Sequence, residues 1–304
     1  RDYLSYRRIL KSMKTVKRLK MGLELVNFVI TNQSKFLKSV ESLNLVASTF
    51  YHGQSHCLHR SALRNLPNLK SIRFKVSSYF DLIYLTKSLG FWPSLQNLSL
   101  DSYFNRPRKS LSLLQNSLKR KNALKSLCLK YKDNSKAQHL NRFIPLLAKL
   151  TSLNNLKIFI SKSHLQLREI IQLPGIISSL PNLKKLVLSF IGSNQLEEEI
   201  LVEINEELLK MPQLQSLQLC FQGYRITSLK VKELALTVPS LLSLKHLNLK
   251  FYRCYLTPDA LHQLQKSTEK LKYLESLEII TEGTMQMFES YSILADPISF
   301  PPTM

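Results

Sequence analysis

Apolar residues along this chain return in a fixed phrase, L-x-x-L-x-L, best seen as Leu183, Leu186 and Leu188 within LPNLKKLVLSF, Leu180 to Phe190. Sibling phrases are Leu69-Ile72-Phe74, Leu95-Leu98-Leu100, Leu124-Leu127-Leu129, Leu153-Leu156-Ile158, Leu214-Leu217-Leu219, Leu244-Leu247-Leu249 and Leu274-Leu277-Ile279. Weaker copies, Val16-Leu19-Met21 and Val40-Leu43-Leu45, carry the series towards the N-terminus. The first residues of successive phrases lie 24, 29, 26, 29, 29, 30, 31, 30 and 30 apart, which is the signature of a repeat architecture.

The last two apolar residues of each phrase are two apart, so on a strand they share one face while the residue between them faces the other way. One short strand cannot bury a single row of leucines. Stacked beside identical neighbours about 4.8 Å away, it forms a parallel sheet with a continuous apolar interior. Parallel strands need a crossover, and the remainder of each period is long enough for a helix of about three turns. The pattern places such helices at Phe104 to Lys121, with Leu111, Leu114 and Leu118 on one stripe and Ser110 as a cap, and at Lys136 to Lys149, His164 to Leu173 and Gln195 to Lys210. Pro145 and the Pro174-Gly175 pair are expected to shorten or kink the second and third of these. Thr257-Pro258-Asp259 reads as a helix start, with Thr257 as N-cap and Pro258 at the first helical position.

These phrases resemble the leucine-rich-repeat family, and the spacing is most similar to its ribonuclease-inhibitor-like subtype; the likeness covers residues 13 to 280. It implies an α/β solenoid of about ten repeats, a horseshoe with parallel strands on the concave face and helices on the convex face. One departure is plain. Where the family carries Asn or Cys at the turn leaving the strand, this chain has Ser77, Tyr103, Lys132, Ser161, Ile191, Gln222, Tyr252 and Glu282, which predicts less uniform turns. The expected organisation is a basic capping helix over residues 1–14, the solenoid over 15–281, and a C-terminal cap with an extended tail over 282–304. In residues 1–14, Tyr3, Tyr6, Leu10 and Met13 are spaced for one helix face among Arg7, Arg8, Lys11 and Lys14, so a phosphate-binding arm is the alternative to a cap.

Charge changes the picture. The chain of 304 residues has 43 Lys and Arg against 21 Asp and Glu, a net charge of +22, which points to an acidic partner. From Asn105 to Lys132 the chain carries basic residues and no acidic one, and Arg106, Arg108, Lys109, Lys119, Arg120 and Lys121 form a candidate site for phosphate or an acidic surface. The helix around Glu197, Glu198, Glu199, Glu203, Glu206 and Glu207 has the opposite sign and would repel phosphate. On the concave face the candidate partner-binding residues are Arg18, Lys20, Arg73, Lys75, Lys130, Lys157, Lys185, His246 and Lys250, with Asp101 and Glu278 the acids among the strand positions that point there. Phe159 is the aromatic in that set, too little interleaving for a base-stacking reader of single strands.

Chemistry is sparse. The seven glycines never approach the spacing of a phosphate-cradling loop, and no serine-hydrolase or zinc-protease motif is written. His52, His56, Cys57 and His59 cluster beside Tyr51, but one short loop without a second ligand pair is a poor zinc site, so no metal and no cofactor is expected. Cys57, Cys128, Cys220 and Cys254 form no framework, and Cys128 and Cys220 fall on outward strand positions, which suits a reducing, intracellular compartment: nucleus or cytoplasm, with the mitochondrion as the alternative. Neither a membrane span nor a small-molecule substrate site is indicated. The expected role is a non-enzymatic scaffold, an accessory subunit of a multi-subunit complex such as a ribonucleoprotein, that docks an acidic protein partner. The alternative is sequence-independent binding of RNA or DNA backbone through the basic N-terminal half.

Overall fold

In a computed structural model of the chain, the described residues are 16–22, 37–46, 66–76, 79–103, 114–118, 121–133, 140–162, 170–191, 199–222, 226–254 and 256–283. They contain ten parallel strands ordered as they occur in the chain, one for each phrase. The architecture is an α/β solenoid of leucine-rich-repeat type. It divides into two units, residues 1–153 and 154–304.

The first unit carries β1 (Arg18–Gly22), β2 (Ser42–Val46), β3 (Ser71–Val76), β4 (Asn97–Tyr103) and β5 (Ser126–Asp133). Pairing holds the phrases in register: Leu43, Ile72, Leu98 and Leu127 form one row across the strands, and Leu45, Phe74, Leu100 and Leu129 another. Between β3 and β4 runs α1 (Tyr79–Leu89), whose Leu85 and Leu89 are buried. Residues 114–118 are helical and bury Leu114 and Leu118, as the stripe predicted. The unit also holds α2 (Leu140–Leu147), which ends two residues after Pro145; the rest of the expected span down to Lys136 lies outside the described residues or, at Ala148 and Lys149, forms a turn.

The second unit repeats the scheme with β6 (Asn155–Lys162), α3 (Gln172–Ser178), β7 (Lys185–Ile191), α4 (Glu199–Leu208), β8 (Ser216–Gln222), α5 (Ser228–Thr237), β9 (His246–Tyr252), α6 (Pro258–Thr268) and β10 (Ser276–Glu282). Leu156, Leu186, Leu217, Leu247 and Leu277 form one row of its core, and Ile160, Phe190, Phe221, Phe251 and Thr281 another. Phe190, Phe221 and Phe251 stack with centroids 5.8 and 6.1 Å apart, a length of core that continues the phrase by one more inward position.

Two helix expectations need correction. Helix α3 runs to Ser178 instead of ending before the Pro174-Gly175 pair, because Pro174 is its third residue, where a backbone N–H has no partner within the helix and its loss is harmless. Helix α4 stops at Leu208, with Leu209 and Lys210 already in the turn, while residues 195–198 of its expected span lie outside the described residues. By contrast α6 starts as read: Thr257 is extended, its Oγ1 accepts from the Ala260 N–H at 3.4 Å, and Pro258 leads the helix.

Strands β2 to β10 are entered through the same turn. The first leucine of the phrase donates its N–H to the carbonyl three residues earlier, as in Leu69 to Leu66, Leu95 to Trp92, Leu183 to Leu180 and Leu214 to Met211. Pro67, Pro93, Pro181 and Pro212 stand at the second position of those turns, where a fixed φ is already that of the turn. Next, two consecutive N–H groups reach one carbonyl of the preceding repeat: Lys70 and Ser71 to Glu41, Gln96 and Asn97 to Lys70, Gln215 and Ser216 to Lys184. At the exit of β9 and β10 the chain turns through left-handed residues, Arg253 and Gly283, and the Arg253 N–H donates to the Glu282 carbonyl at 2.7 Å. That backbone link joins adjacent repeats where the expected turn asparagine is missing.

Candidate docking face

Strand alternation sends every residue between the buried rows to the opposite, open face of the sheet. In the first unit, register lines up Arg18, Ser42, Ser71, Asn97 and Ser126 in one open row, and Lys20, Asn44, Arg73, Ser99 and Cys128 in the next. A third row places Lys75, Asp101 and Lys130 side by side. Arg18, Lys20 and Arg73 are exposed, and Lys75, Asp101 and Lys130 are half-buried. Asp101 sits between two lysines, so its charge is offset locally and the surrounding field stays positive.

The second unit's open rows are Asn155, Lys185, Ser216, His246 and Ser276; then Lys157, Val187, Gln218, Asn248 and Glu278; then Phe159, Ser189, Cys220, Lys250 and Ile280. Lys185 and His246 are exposed and Lys157 is half-buried. Lys250 differs from the others because Glu278 lies 3.5 Å from its ammonium, and the Asn248 amide also donates to Glu278. This cation is therefore partly neutralised within the sheet.

Val187, Ser189 and Cys220 are buried although they occupy open-face positions; larger residues are their register neighbours, Lys157 beside Val187, Phe159 beside Ser189 and Lys250 beside Cys220. Cys220 keeps the outward strand position expected of it but is buried there. Burial pushes its thiol above the ordinary range, partly opposed by a hydrogen bond from Ser189 and by the Lys250 charge. Cys254 is buried and its thiol is pushed up to about 12, by burial first and then by Cys220. Neither thiol is primed as a nucleophile.

Among the proposed basic block, Arg106, Arg108, Lys109, Lys119 and Arg120 lie outside the described residues, as does the Tyr51 to His59 cluster and the segment 1–14. Lys121 is described, and it does not belong to a solvent-facing block. It occupies the first position of the strand-entry turn, where sister repeats place Leu66, Trp92, Leu150, Leu180, Met211, Leu241 and Leu271, and it is 6% exposed. Its ammonium donates to the Trp92 carbonyl at 2.7 Å, and burial lowers its pKa below the ordinary lysine value.

A basic margin went unread in the sequence. The residue just before each strand is Lys17, Glu41, Lys70, Gln96 or Lys125 in the first unit and Asn154, Lys184, Gln215, Lys245 or Glu275 in the second. The lysines are exposed. Lys70 pairs with Glu41 at 3.0 Å and Lys245 with Glu275 at 2.6 Å, and in each case the lysine's hydrogen bond holds the carboxyl below its usual range. The signal was available: a lysine directly follows the first leucine of the phrase at Lys70, Lys125, Lys184 and Lys245.

No group of His, Cys, Asp and Glu that could hold a metal exists among the described residues, and no described helix is long and apolar enough to cross a membrane. What the open face offers chemically is hydrogen bonding and positive charge on a rigid lattice.

No family model and no curated protein matches this chain. Solved structures similar to it include the tropomodulin C-terminal domain of Caenorhabditis elegans, 14% identical, with 53% of this chain and 92% of that one covered and a TM-score of 0.40. A chain of the yeast Rad7 and Elc1 complex is 15% identical over 93% of this chain and 84% of its own, with a TM-score of 0.46. The second actin-binding site of leiomodin-1 is 11% identical over 64% and 90%, with a TM-score of 0.37. At these scores the likenesses assign no function, and the repeat architecture stands on the strand register itself.

Proposed function

We propose that this chain is a non-enzymatic interaction scaffold, an accessory subunit of a larger assembly, that docks an acidic protein surface on the open face of its first unit. The observation that carries the reading is the row arrangement: Arg18, Lys20 and Arg73 are exposed on β1 and β3, and Lys75 and Lys130 flank them with Asp101 as the acid in the row. Strands about 4.8 Å apart hold these cations at fixed spacing, so a complementary carboxylate array meets them without ordering the scaffold first. Within the leucine-rich-repeat type, the spacing of 29 to 31 through most of the chain favours the ribonuclease-inhibitor-like subtype. A reducing compartment inside the cell is the setting this reading entails.

The net charge of +22 favours one other reading, direct binding to nucleic-acid backbone. The three open rows of the first unit that hold the proposed docking cations carry no aromatic, and Tyr103, beside Lys132 in register, is the one aromatic at an open-face strand position there, too little interleaving for a reader that stacks successive bases. Titration of a labelled RNA and a labelled DNA against salt separates the two. Docking of a protein predicts no tight oligonucleotide binding at moderate salt by the intact chain. A log-log salt slope of about −3 to −4, lost when Arg18, Lys20, Arg73 and Lys75 are changed to Ser, would replace the scaffold reading with backbone binding.

A further inference from the structure

The helical surface of the second unit has a chemistry of its own. Helix α4 buries Ile200, Leu201, Ile204, Asn205 and Leu208 and leaves Glu199, Glu203 and Glu206 along the opposite stripe, at i, i+4 and i+7. No ion pair among the described residues engages these three carboxylates; the neighbouring Glu207 is taken by Lys210 at 2.6 Å and by Ser178. Helix α5, packed directly against α4, buries Val231, Leu234, Ala235 and Thr237 but exposes Leu229 and Leu236, at 62% and 82%.

Repeat register sets these side chains beside one another. The entry turns Met211 to Leu214 and Leu241 to Leu244 are equivalent, so Leu229 falls at the level of Glu199 and Leu236 at the level of Glu206. Neighbouring helices lie about 8–10 Å apart, and i and i+7 are separated by about 10 Å along one helix. The result is two exposed leucines facing two unpaired glutamates, with Glu203 between. The lysines of α5 do not spoil the pattern, since Lys230 pairs with Glu233 at 2.9 Å and Lys232 with Asp259 at 2.5 Å.

We propose that this α4–α5 surface is a second docking site and that it takes a basic amphipathic helix of a partner protein, apolar side chains on Leu229 and Leu236 and lysines or arginines on Glu199, Glu203 and Glu206. An exposed leucine alone means little, but a pair in line beside an unpaired acidic stripe is a patch with defined complement. Phosphate is repelled here. A two-fold contact with a second copy would set glutamate stripe near glutamate stripe, so like charge opposes it. This site stands apart from the open-face reading, because it lies on helices and selects the opposite charge.

The test uses a labelled peptide of about 18 residues with leucines on one helical stripe and lysines on the rest, against a leucine–glutamate peptide and a lysine–serine peptide of equal length. Fluorescence anisotropy is read for the intact chain, for Leu229→Ser with Leu236→Ser, and for Glu199→Gln with Glu203→Gln and Glu206→Gln. The leucine–lysine peptide is expected to bind at least about tenfold tighter than either control, and each variant to lose about tenfold or more. Glu199, Glu206, Leu229 and Leu236 are exposed and Glu203 is half-buried, so circular dichroism and Tm of the variants should match the parent and remove misfolding as an explanation. Equal binding of the three peptides, or binding unchanged in both variants, would overturn the proposal. Sedimentation velocity showing a dimer that Leu229→Ser with Leu236→Ser disperses would also overturn it, by giving the surface to a second copy.

Discussion

Lys121 concentrates what a single residue can teach in this chain. A lysine inside a basic run reads as a surface cation, yet its place in the repeat is the buried first residue of an entry turn. The turn demands an apolar side chain, and lysine meets the demand by bending its stem inward and giving the ammonium one carbonyl, that of Trp92. Replacement by the residue its sisters carry, Lys121→Leu, is expected to stabilise the fold by about 1 kcal/mol or more, because it removes a poorly solvated charge while the Trp92 carbonyl keeps the Leu95 N–H. The pH dependence has a definite sign. The folded pKa lies below 10.5, so between the folded pKa and 10.5 the unfolded chain binds the proton better and stability rises with pH. Urea unfolding at neutral pH and near pH 10.5 should therefore show the gap between the variant and the parent narrowing on the alkaline side. A gap that widens would mean that the ammonium stabilises the fold.

Elements show which parts of the fold are legible in a sequence and which are not. Strands were fully announced, since the two-residue spacing of the last apolar residues repeats in every phrase and the observed register pairs them with one another, Ile72 with Leu98 and Leu186 with Leu217. Helix α6 was announced by its cap. Helices α1 and α5 were not, because their apolar residues are spread around the helix, although Ser78 followed three places later by Asp81 is a cap signal the sequence offered for α1; Leu229 and Leu236 sit on the wrong face for a simple amphipathic pattern. Aligning the repeats on their entry turns, and not on the leucines alone, would have exposed both the buried Lys121 and the lysine margin before the strands. The inward aromatic row extends the core past the phrase, and Phe221 touches a ring on each side. Phe221→Ala should cost about 3–5 kcal/mol by denaturant unfolding, and more than Phe190→Ala, which loses one stacked neighbour among the described rings. Equal costs for the two would show that ring stacking adds nothing beyond burial.

On the scale of the whole molecule, net charge is a poor guide until the fold assigns it to faces. The excess of 43 basic over 21 acidic side chains resolves into an open sheet face of positive sign in the first unit, a second unit whose open face is partly self-neutralised through Lys250 and Glu278, and a helical surface where the acids of α4 stand. A protein of uniform charge would bind any counter-charged polymer; one with separate faces selects partners by surface. The central claim is that the first unit's open face holds an acidic protein. Its most direct test is affinity purification of the tagged chain from its own cells under nuclease treatment, alongside the Arg18→Ser, Lys20→Ser, Arg73→Ser and Lys75→Ser variant, with retained proteins identified by mass spectrometry. The account predicts a discrete acidic protein that survives nuclease and disappears with the variant. Retention that nuclease abolishes, or that the four substitutions leave unchanged, would contradict it.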